Sequence, residues 1–184
     1  MTELVRRIGL LGGECSGKST LARELARTLP ACVVTERLRD FVETNGRTPS
    51  QHEQIGLMLG QQAVEDAAAA ACDAGVVVGD SAPLMIAVYS FVYFDDPTLI
   101  GPAVDLAGGY DLMLWCDVDL PWEPDGIQRD GPDMRQREHD IISDIIHTHL
   151  TPAGVRVELV SGGPDARAES ARRAWQLLGP NQPT

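Results

Sequence analysis

Eight consecutive residues near the start of the chain have the types and spacing needed to bind phosphate. Residues 12–19 are Gly-Gly-Glu-Cys-Ser-Gly-Lys-Ser, a full match to G-x-x-x-x-G-K-[ST]. Small residues let backbone N–H groups curl around phosphate oxygens, and the helix N-terminus adds partial positive charge. Lys18 would reach the β- and γ-phosphates, and the Ser19 hydroxyl would ligate Mg²⁺. The motif predicts a site for ATP and Mg²⁺, formed by Gly12, Gly13, Glu14, Cys15, Ser16, Gly17, Lys18, Ser19 and Thr20.

Two carboxylates follow apolar segments that are typical of strands. Asp80 ends a valine-rich run and is predicted to hold Mg²⁺ through water, together with Ser19, or to polarise an acceptor hydroxyl. The alternative is a helix-capping aspartate before Pro83. Glu36 follows a second short apolar run and could accept a hydroxyl proton or bind ribose hydroxyls. Lys18, Asp80 and Glu36 are therefore candidate catalytic residues.

A segment rich in proline, glycine and charge, at about 120–132, is typical of a lid. Arg129 within it and Arg135 just after it are the predicted phosphate contacts, because arginines that close over a phosphoryl group exclude water and neutralise charge. The alternative is a polar surface loop.

The elements that must position these residues alternate between strand and helix. Apolar runs at about 5–11, 32–35, 75–80, 112–117 and 155–160 predict strands, and helical patterns separate them. This order predicts an α/β domain with a parallel sheet. Thr48 and Pro49 predict a helix start with Thr48 as the cap. We expect one domain over residues 1–178 and a disordered tail at 179–184.

Composition narrows the function classes. The formal net charge of −12 and pI near 4.6 argue against nonspecific nucleic-acid binding. The first residues lack the apolar core of a signal peptide, and no apolar run is long enough to cross a bilayer, so no membrane partner is expected. The four cysteines form no C-x-x-C pair, which predicts reduced thiols in the cytoplasm. His139 is expected at the surface.

Three segments together resemble the NadR-type ribosylnicotinamide kinase domain of the P-loop kinase and ATPase superfamily. They are the phosphate loop, the Thr-Glu-Arg-Leu-Arg-Asp-Phe run at 35–41, and the Cys-Asp-Val-Asp-Leu-Pro-Trp run at 116–122 with Asp125, Gly126 and Arg129 downstream. The similarity runs from about residue 8 to about 160. At the end of the third strand the chain has Asp80-Ser81-Ala82 where the family often has an Asp-Thr-Asp-like run.

The resemblance implies a three-layer α/β/α P-loop fold with a five-stranded parallel sheet and a lid after the fourth strand. It also implies ATP-dependent phosphorylation of the ribose 5′-hydroxyl of nicotinamide riboside, a step of NAD biosynthesis. The adenylyltransferase and helix-turn-helix domains of the multidomain bacterial regulator are not expected in this chain. Two alternatives stay open: a P-loop ATPase or nucleotide-dependent switch acting through a protein partner, and a nucleotide-binding module without catalysis.

Overall fold

A computed structural model describes residues 5–123 and 131–179. The strands of this part are β1 (Arg6–Leu11), β2 (Ala31–Thr35), β3 (Val76–Asp80), β4 (Leu112–Cys116) and β5 (Val157–Val160). The helices are α1 (Lys18–Thr28), α2 (Arg37–Asn45), α3 (Gln51–Ala71), α4 (Leu84–Phe94), α5 (Ile100–Ala107), α6 (Pro132–Ile145) and α7 (Pro164–Gln176), and α6 continues as a π-helical turn over Ile146–Leu150. The predicted alternation of strands and helices is confirmed. In the described ranges, no helix combines the length and the apolar character required to span a membrane.

The five strands form one parallel sheet in the order β2-β3-β1-β4-β5. After the central strand β1, the chain forms β2 and β3 on one side of it and then β4 and β5 on the other. β1 therefore has β3 and β4 as its two neighbours. In open parallel sheets, ligands bind at the carboxyl ends of the strands, where the strand order reverses. The loop that follows β1 lies at this point.

Apolar residues cover both faces of the sheet, as the near-continuous hydrophobic strands require. Along β4, Leu112 and Leu114 pack on the face covered by α1 and α7. Met113 packs on the opposite face, with residues of α3, α4 and α6. The three valines of β3 are buried as well. This confirms the three-layer α/β/α fold and fixes the carboxyl edge of the sheet as the place where polar loops gather.

The start of α3 differs from the sequence prediction. Ser50, rather than Thr48, is the cap of this helix, and Glu53 is the partner residue of the capping box. The Glu53 carboxylate accepts hydrogen bonds from the Ser50 amide at 2.8 Å and the Ser50 hydroxyl at 2.7 Å. Arg47 holds the same carboxylate through two bonds of 2.8 Å. Proline at 49 therefore precedes the cap instead of opening the helix.

The prediction of four reduced thiols is wrong for two of them. Cys32 of β2 and Cys72 at the end of α3 form a disulfide, with their Cα atoms 6.2 Å apart. The two cysteines are separated by 40 residues, and only the packing of α3 against the β2 side of the sheet brings them together. The spacing of cysteines along the sequence does not predict such a distant pair. Cys15 and Cys116 are the thiols outside this disulfide among the described residues. Of the predicted tail, residues 180–184 lie outside the described ranges.

Candidate functional site

The loop between β1 and α1 has the backbone conformation of a phosphate cradle. Gly12 has φ 146° and Gly17 has φ 83°, both in the region that favours glycine. A Cβ on Gly12 would lie 2.6 Å from Ser16 Oγ, and one on Gly17 would lie 3.0 Å from Leu120 Cδ1. Glycine is therefore required at both positions, and the structure has the strand, loop and helix that the motif predicts.

The side chains of Lys18 and Ser16 form hydrogen bonds within this loop. Lys18 Nζ donates to the carbonyl oxygens of Gly12 at 2.6 Å and Gly13 at 2.9 Å. Ser16 Oγ donates to the Gly13 carbonyl at 2.7 Å. The first turn of α1 contains no acidic side chain, so its N-terminal partial charge is not neutralised locally. The loop combines a positive ammonium group with a positive helix end, as a phosphate site requires.

The predicted acidic residues lie beside this loop because the strands that carry them are adjacent. Thr35 of β2 is paired with Asp80 of β3, which places Glu36 next to Asp80 at the carboxyl edge. Ala82 N donates to the Leu10 carbonyl at 3.0 Å and ties the turn after β3 to β1. Asp80 is buried.

Electrostatics shows that the catalytic candidates are close together. Burial raises the pKa of Glu36, the positive charges of Lys18 and Arg39 oppose this rise, and the negative charge of Asp80 adds to it. Burial likewise raises the pKa of the Cys116 thiol to about 11, and Lys18 and Asp80 also influence that value. The structure thus brings together Lys18, Glu36 and Asp80, three of the five predicted catalytic residues.

Two oxygen atoms at this place are buried without a well-formed hydrogen bond among the described residues. They are Glu36 Oε1 and Ser81 Oγ. The Ser81 hydroxyl lies near Glu36, where it lowers the pKa of that carboxyl. Buried polar atoms in native proteins are nearly always paired, so each exception needs an explanation. Two such atoms beside one phosphate loop are suited to contact a hydroxylated ligand.

Arg135, in the first turn of α6, lies next to the phosphate loop. A Cβ on Gly13 would be 3.3 Å from Arg135 Cγ, and Arg135 Nη1 donates to the Leu120 carbonyl at 2.9 Å. Cys15 Sγ contacts the Glu123 carbonyl at 3.2 Å, which connects the loop to the start of the predicted lid. Arg129, the other predicted lid arginine, lies outside the described residues. Ser19 is the second residue of α1 and is partly exposed.

Arg167 of α7 is a site residue that the sequence reasoning missed. Its guanidinium donates to the carbonyls of Ser16 at 2.9 Å, Asp117 at 3.1 Å and Gly162 at 2.7 Å, and it forms an ion pair with Asp119. Only 2% of its side chain is exposed. It therefore clamps the phosphate loop to the end of β4. The helical spacing of Arg167 could have indicated its burial, because it puts Arg167 on the same face of α7 as the buried residues Ala171 and Ala174.

Glu138 of α6 was missed in the same way. It is fully buried, and its Oε2 accepts a bond of 3.2 Å from the backbone N–H of Glu14 in the phosphate loop. It lies on the same helical stripe as the buried residues Ile142 and Ile145. His139, expected at the surface, instead stacks on Trp115 with 4.5 Å between ring centroids.

A small cleft of about 90 Å³ opens on the α1 side of the loop. Gly17 and Thr20 line it from the loop and helix α1, Leu120 from the segment after β4, and Pro164 and Arg167 from the start of α7. Leu21, Glu24 and Asp165 complete its lining.

Comparisons with known proteins agree with this fold. A protein-family model described as an AAA domain matches residues 7–167, and the chain belongs to this family. Among curated proteins, none matches the sequence significantly. Among solved structures, a NadR protein in complex with NR has a TM-score of 0.74 at 18% identity, and covers 98% of this chain. A NadR protein in complex with NAD and AMP-PNP has a TM-score of 0.72 at 19% identity, with the same coverage.

A deoxyadenosine kinase from M. mycoides with bound dATP has a TM-score of 0.60 at 12% identity, and the match covers 93% of this chain and 99% of that one. The present chain spans 53% and 51% of the length of the two NadR chains. The predicted resemblance to NadR-type kinases in the P-loop superfamily is thus confirmed at the level of the fold.

Proposed function

We propose that this chain is an ATP- and Mg²⁺-dependent kinase that transfers the γ-phosphoryl group to a hydroxyl of a small molecule. The proposed acceptor is the ribose 5′-hydroxyl of nicotinamide riboside or a related nucleoside, which would place the enzyme in NAD biosynthesis. The observation that carries the proposal is the convergence of Lys18 with the two carboxylates Glu36 and Asp80 at one edge of the sheet. The NadR-like fold supports it.

The nucleotide side of the site consists of residues 12–20 together with Arg167 and Asp119. Its glycines have no Cβ, which would clash with neighbouring atoms at Gly12 and Gly17, and they allow the tight loop from which backbone amides bind phosphate oxygens. Ser19 and, through water, Asp80 would hold Mg²⁺; hydroxyl and carboxylate oxygens are ligands that this ion prefers. Bound Mg²⁺ neutralises charge on the transferred phosphoryl group. The described residues contain no cluster of three or more His, Cys, Asp or Glu that could hold a metal.

The acceptor side consists of Glu36, Asp80 and Ser81. Glu36 accepts the proton of the attacking hydroxyl or orients a neighbouring hydroxyl. Its pKa, raised by burial, brings the carboxylate closer to the basicity that a general base needs at neutral pH. Arg135, with Arg129 of the predicted lid, closes over the phosphoryl group and excludes water.

A phosphoryl-transfer assay with ATP and Mg²⁺ tests this function. The acceptor panel contains nicotinamide riboside, the common nucleosides and shikimate-like cyclic alcohols, and chromatography separates the phosphorylated products. We expect a product with nicotinamide riboside or another nucleoside, and none from Lys18→Ala. No product with any acceptor, together with ATP hydrolysis that a protein partner stimulates, would instead indicate the nucleotide-dependent switch.

We also propose a single catalytic domain over residues 1–178 and a cytoplasmic location, where ATP is supplied. Disulfides are uncommon in that compartment, so the Cys32–Cys72 pair bears on the location directly. Alkylation of thiols in intact cells, followed by peptide mapping, measures the redox state of this pair. Quantitative oxidation in cells would argue for an oxidising compartment.

A further inference from the structure

Helix α3 carries two buried polar side chains one turn apart. Gln61 is 2% exposed and Glu65 is fully buried. Gln61 Nε2 donates to Glu65 Oε1 at 2.9 Å, and the Tyr110 hydroxyl donates to Glu65 Oε2 at 2.5 Å. Both carboxylate oxygens therefore have a donor, and Gln61 still has its own carbonyl oxygen to offer.

The side-chain carbonyl oxygen of Gln61 forms a hydrogen bond with the first residue of α2. Gln61 Oε1 accepts a 2.9 Å hydrogen bond from the backbone N–H of Arg37, the residue directly after Glu36. The side chain of Arg37 crosses α3 at Gly60, where a Cβ would lie 3.0 Å from Arg37 Nε. The N-terminal groups of a helix have no partner within the helix. Gln61 supplies one from another helix and so fixes the direction in which the chain leaves Glu36.

The same network rests on the strand that carries Asp80. A Cβ on Gly79 would lie 2.6 Å from Glu65 Oε1, so this carboxylate packs directly on the backbone of β3 one residue before Asp80. Tyr110 approaches Gly9 of the neighbouring strand, where a Cβ would lie 3.0 Å from its ring. Glu65 thus stands between the two backbone segments from which Glu36 and Asp80 project.

Packing alone does not account for this arrangement. A buried carboxylate costs folding free energy, and an apolar side chain of similar volume would fill the space without that cost. Hydrogen bonds contribute what an apolar side chain lacks, which is a fixed direction. Catalytic groups must be held to within a fraction of an ångström, and support from a second layer of side chains is the usual means.

We propose that Gln61 and Glu65 are positioning residues that set the geometry of Glu36 and Asp80 for the acceptor. The inference rests on the proposed kinase function, because it assigns to the pair an effect on that reaction. It predicts a selective effect. Disturbing the pair displaces Glu36 and with it the acceptor, whereas the phosphate loop, which adjoins α1 and is held by Arg167 of α7, keeps its shape.

The test compares Gln61→Ala with Gln62→Ala, its neighbour on the same helix, whose amide only bonds Asp66. Steady-state kinetics with the acceptor found in the panel gives KM for ATP, KM for acceptor and kcat. We expect Gln61→Ala to raise the acceptor KM about tenfold and to lower kcat, with the ATP KM within twofold of wild type. Gln62→Ala should match wild type in all three.

Two further variants keep the inference testable if Gln61→Ala folds poorly. Glu65→Gln can still accept from Gln61 and, through its amide, donate to the Tyr110 oxygen, whereas Glu65→Leu can do neither. We expect Glu65→Leu to raise the acceptor KM and Glu65→Gln to restore it to within about threefold of wild type. A purely structural role would reduce the active fraction, which lowers kcat while both KM values stay unchanged.

The inference is overturned if Gln61→Ala equals Gln62→Ala in acceptor KM, or if both substrates are affected equally. A wild-type chain that phosphorylates no acceptor overturns the proposed function itself, and this result is obtained before any variant is made. The two failures are therefore distinguished by the wild-type assay.

Discussion

The two sides of the cleft differ in how far their polar groups are already paired. On the nucleotide side, Lys18, Ser16 and Arg167 all donate to backbone carbonyls. On the acceptor side, Glu36 Oε1 and Ser81 Oγ are buried without a well-formed hydrogen bond among the described residues, although the Ser81 hydroxyl lies close enough to the Glu36 carboxyl to lower its pKa. An unpaired buried polar group costs about 1–3 kcal/mol. The nucleotide side therefore holds its shape by its own bonds, whereas the proposed acceptor side has buried oxygen atoms that could still bond to a ligand hydroxyl.

Substitution of Lys18 is expected to have the largest effect on the nucleotide side. Lys18→Ala deletes the ammonium group that bonds to the Gly12 and Gly13 carbonyls and would face the phosphates. We expect kcat/KM for phosphoryl transfer to fall by about 10³-fold, as for loss of a key transition-state donor. Arg27→Ala, an exposed position on the same helix, is the control and should match wild type. Activity of Lys18→Ala within tenfold of wild type would refute the phosphate-loop assignment.

The disulfide bears on the acceptor side because it joins β2, which leads to Glu36, to α3, which carries Gln61 and Glu65. Closing a loop over a separation of 40 residues stabilises the fold by about 4 kcal/mol in the chain-entropy treatment. We expect reductant to lower the free energy of unfolding by up to about this amount, measured by urea denaturation. A Cys32→Ser, Cys72→Ser double variant should not respond to reductant. Four titratable thiols in the unreduced, denatured wild type, rather than two, would contradict the pairing.

A substitution of Arg167 tests whether this side chain supports nucleotide binding. Arg167→Leu removes the donors to the carbonyls of Ser16, Asp117 and Gly162 and leaves Asp119 without its ion pair. We expect nucleotide affinity, measured by calorimetry, to weaken about tenfold, which corresponds to about 1.4 kcal/mol. The acceptor KM should not change. Arg173→Leu, on an exposed position of the same helix, is the matched control. An equal loss of nucleotide affinity in both variants would show that Arg167 has no specific role in nucleotide binding.

The smallest expected effect is a pH dependence at Glu65. Burial raises its pKa above the ordinary 4.5, although the hydrogen bonds from Tyr110 and Gln61 and the charge of Arg7 oppose this rise. A raised pKa in the folded state means that the contribution of Glu65 to stability is complete below about pH 4.5 and is lost as pH rises through the folded pKa.

Glu65→Gln does not titrate at this position. We expect the free energy of unfolding of wild type to fall relative to Glu65→Gln between pH 4 and pH 7. Urea denaturation of both proteins across this range measures the difference. A difference that does not vary with pH would show that the pKa of Glu65 is the same in the folded and unfolded chain.

The sequence predicts the nucleotide side well because its determinants are local. Lys18 and the glycines around it act within one strand, one loop and one helix, so a short motif contains the required geometry. The positions of Glu36 and Asp80 could be predicted too, since both follow strands whose carboxyl ends share one edge of a parallel sheet.

Other features depend on tertiary packing that no local pattern encodes. Arg167 reaches the loop across 151 residues of sequence, and Glu138 across 124. Both residues nevertheless place a charged side chain on the apolar face of a helix. A charged residue at such a position can be recognised in the sequence and indicates a buried polar contact. The Cys32–Cys72 pair gives no such signal. The cap of α3 shifted by two residues because Glu53, held by Arg47, makes Ser50 the better cap.

The central claim is that phosphoryl transfer needs an acceptor side that is separate from nucleotide binding. The most direct measurement compares Glu36→Gln with Glu43→Gln, an exposed position on α2, the helix that begins directly after Glu36. Calorimetry gives the affinity for ATP, and product formation is measured with the acceptor. We expect Glu36→Gln to bind ATP within twofold of wild type while product formation falls about 10²-fold, and Glu43→Gln to match wild type. Unchanged product formation in Glu36→Gln, or a loss of ATP affinity as large as the loss of transfer, would contradict the account.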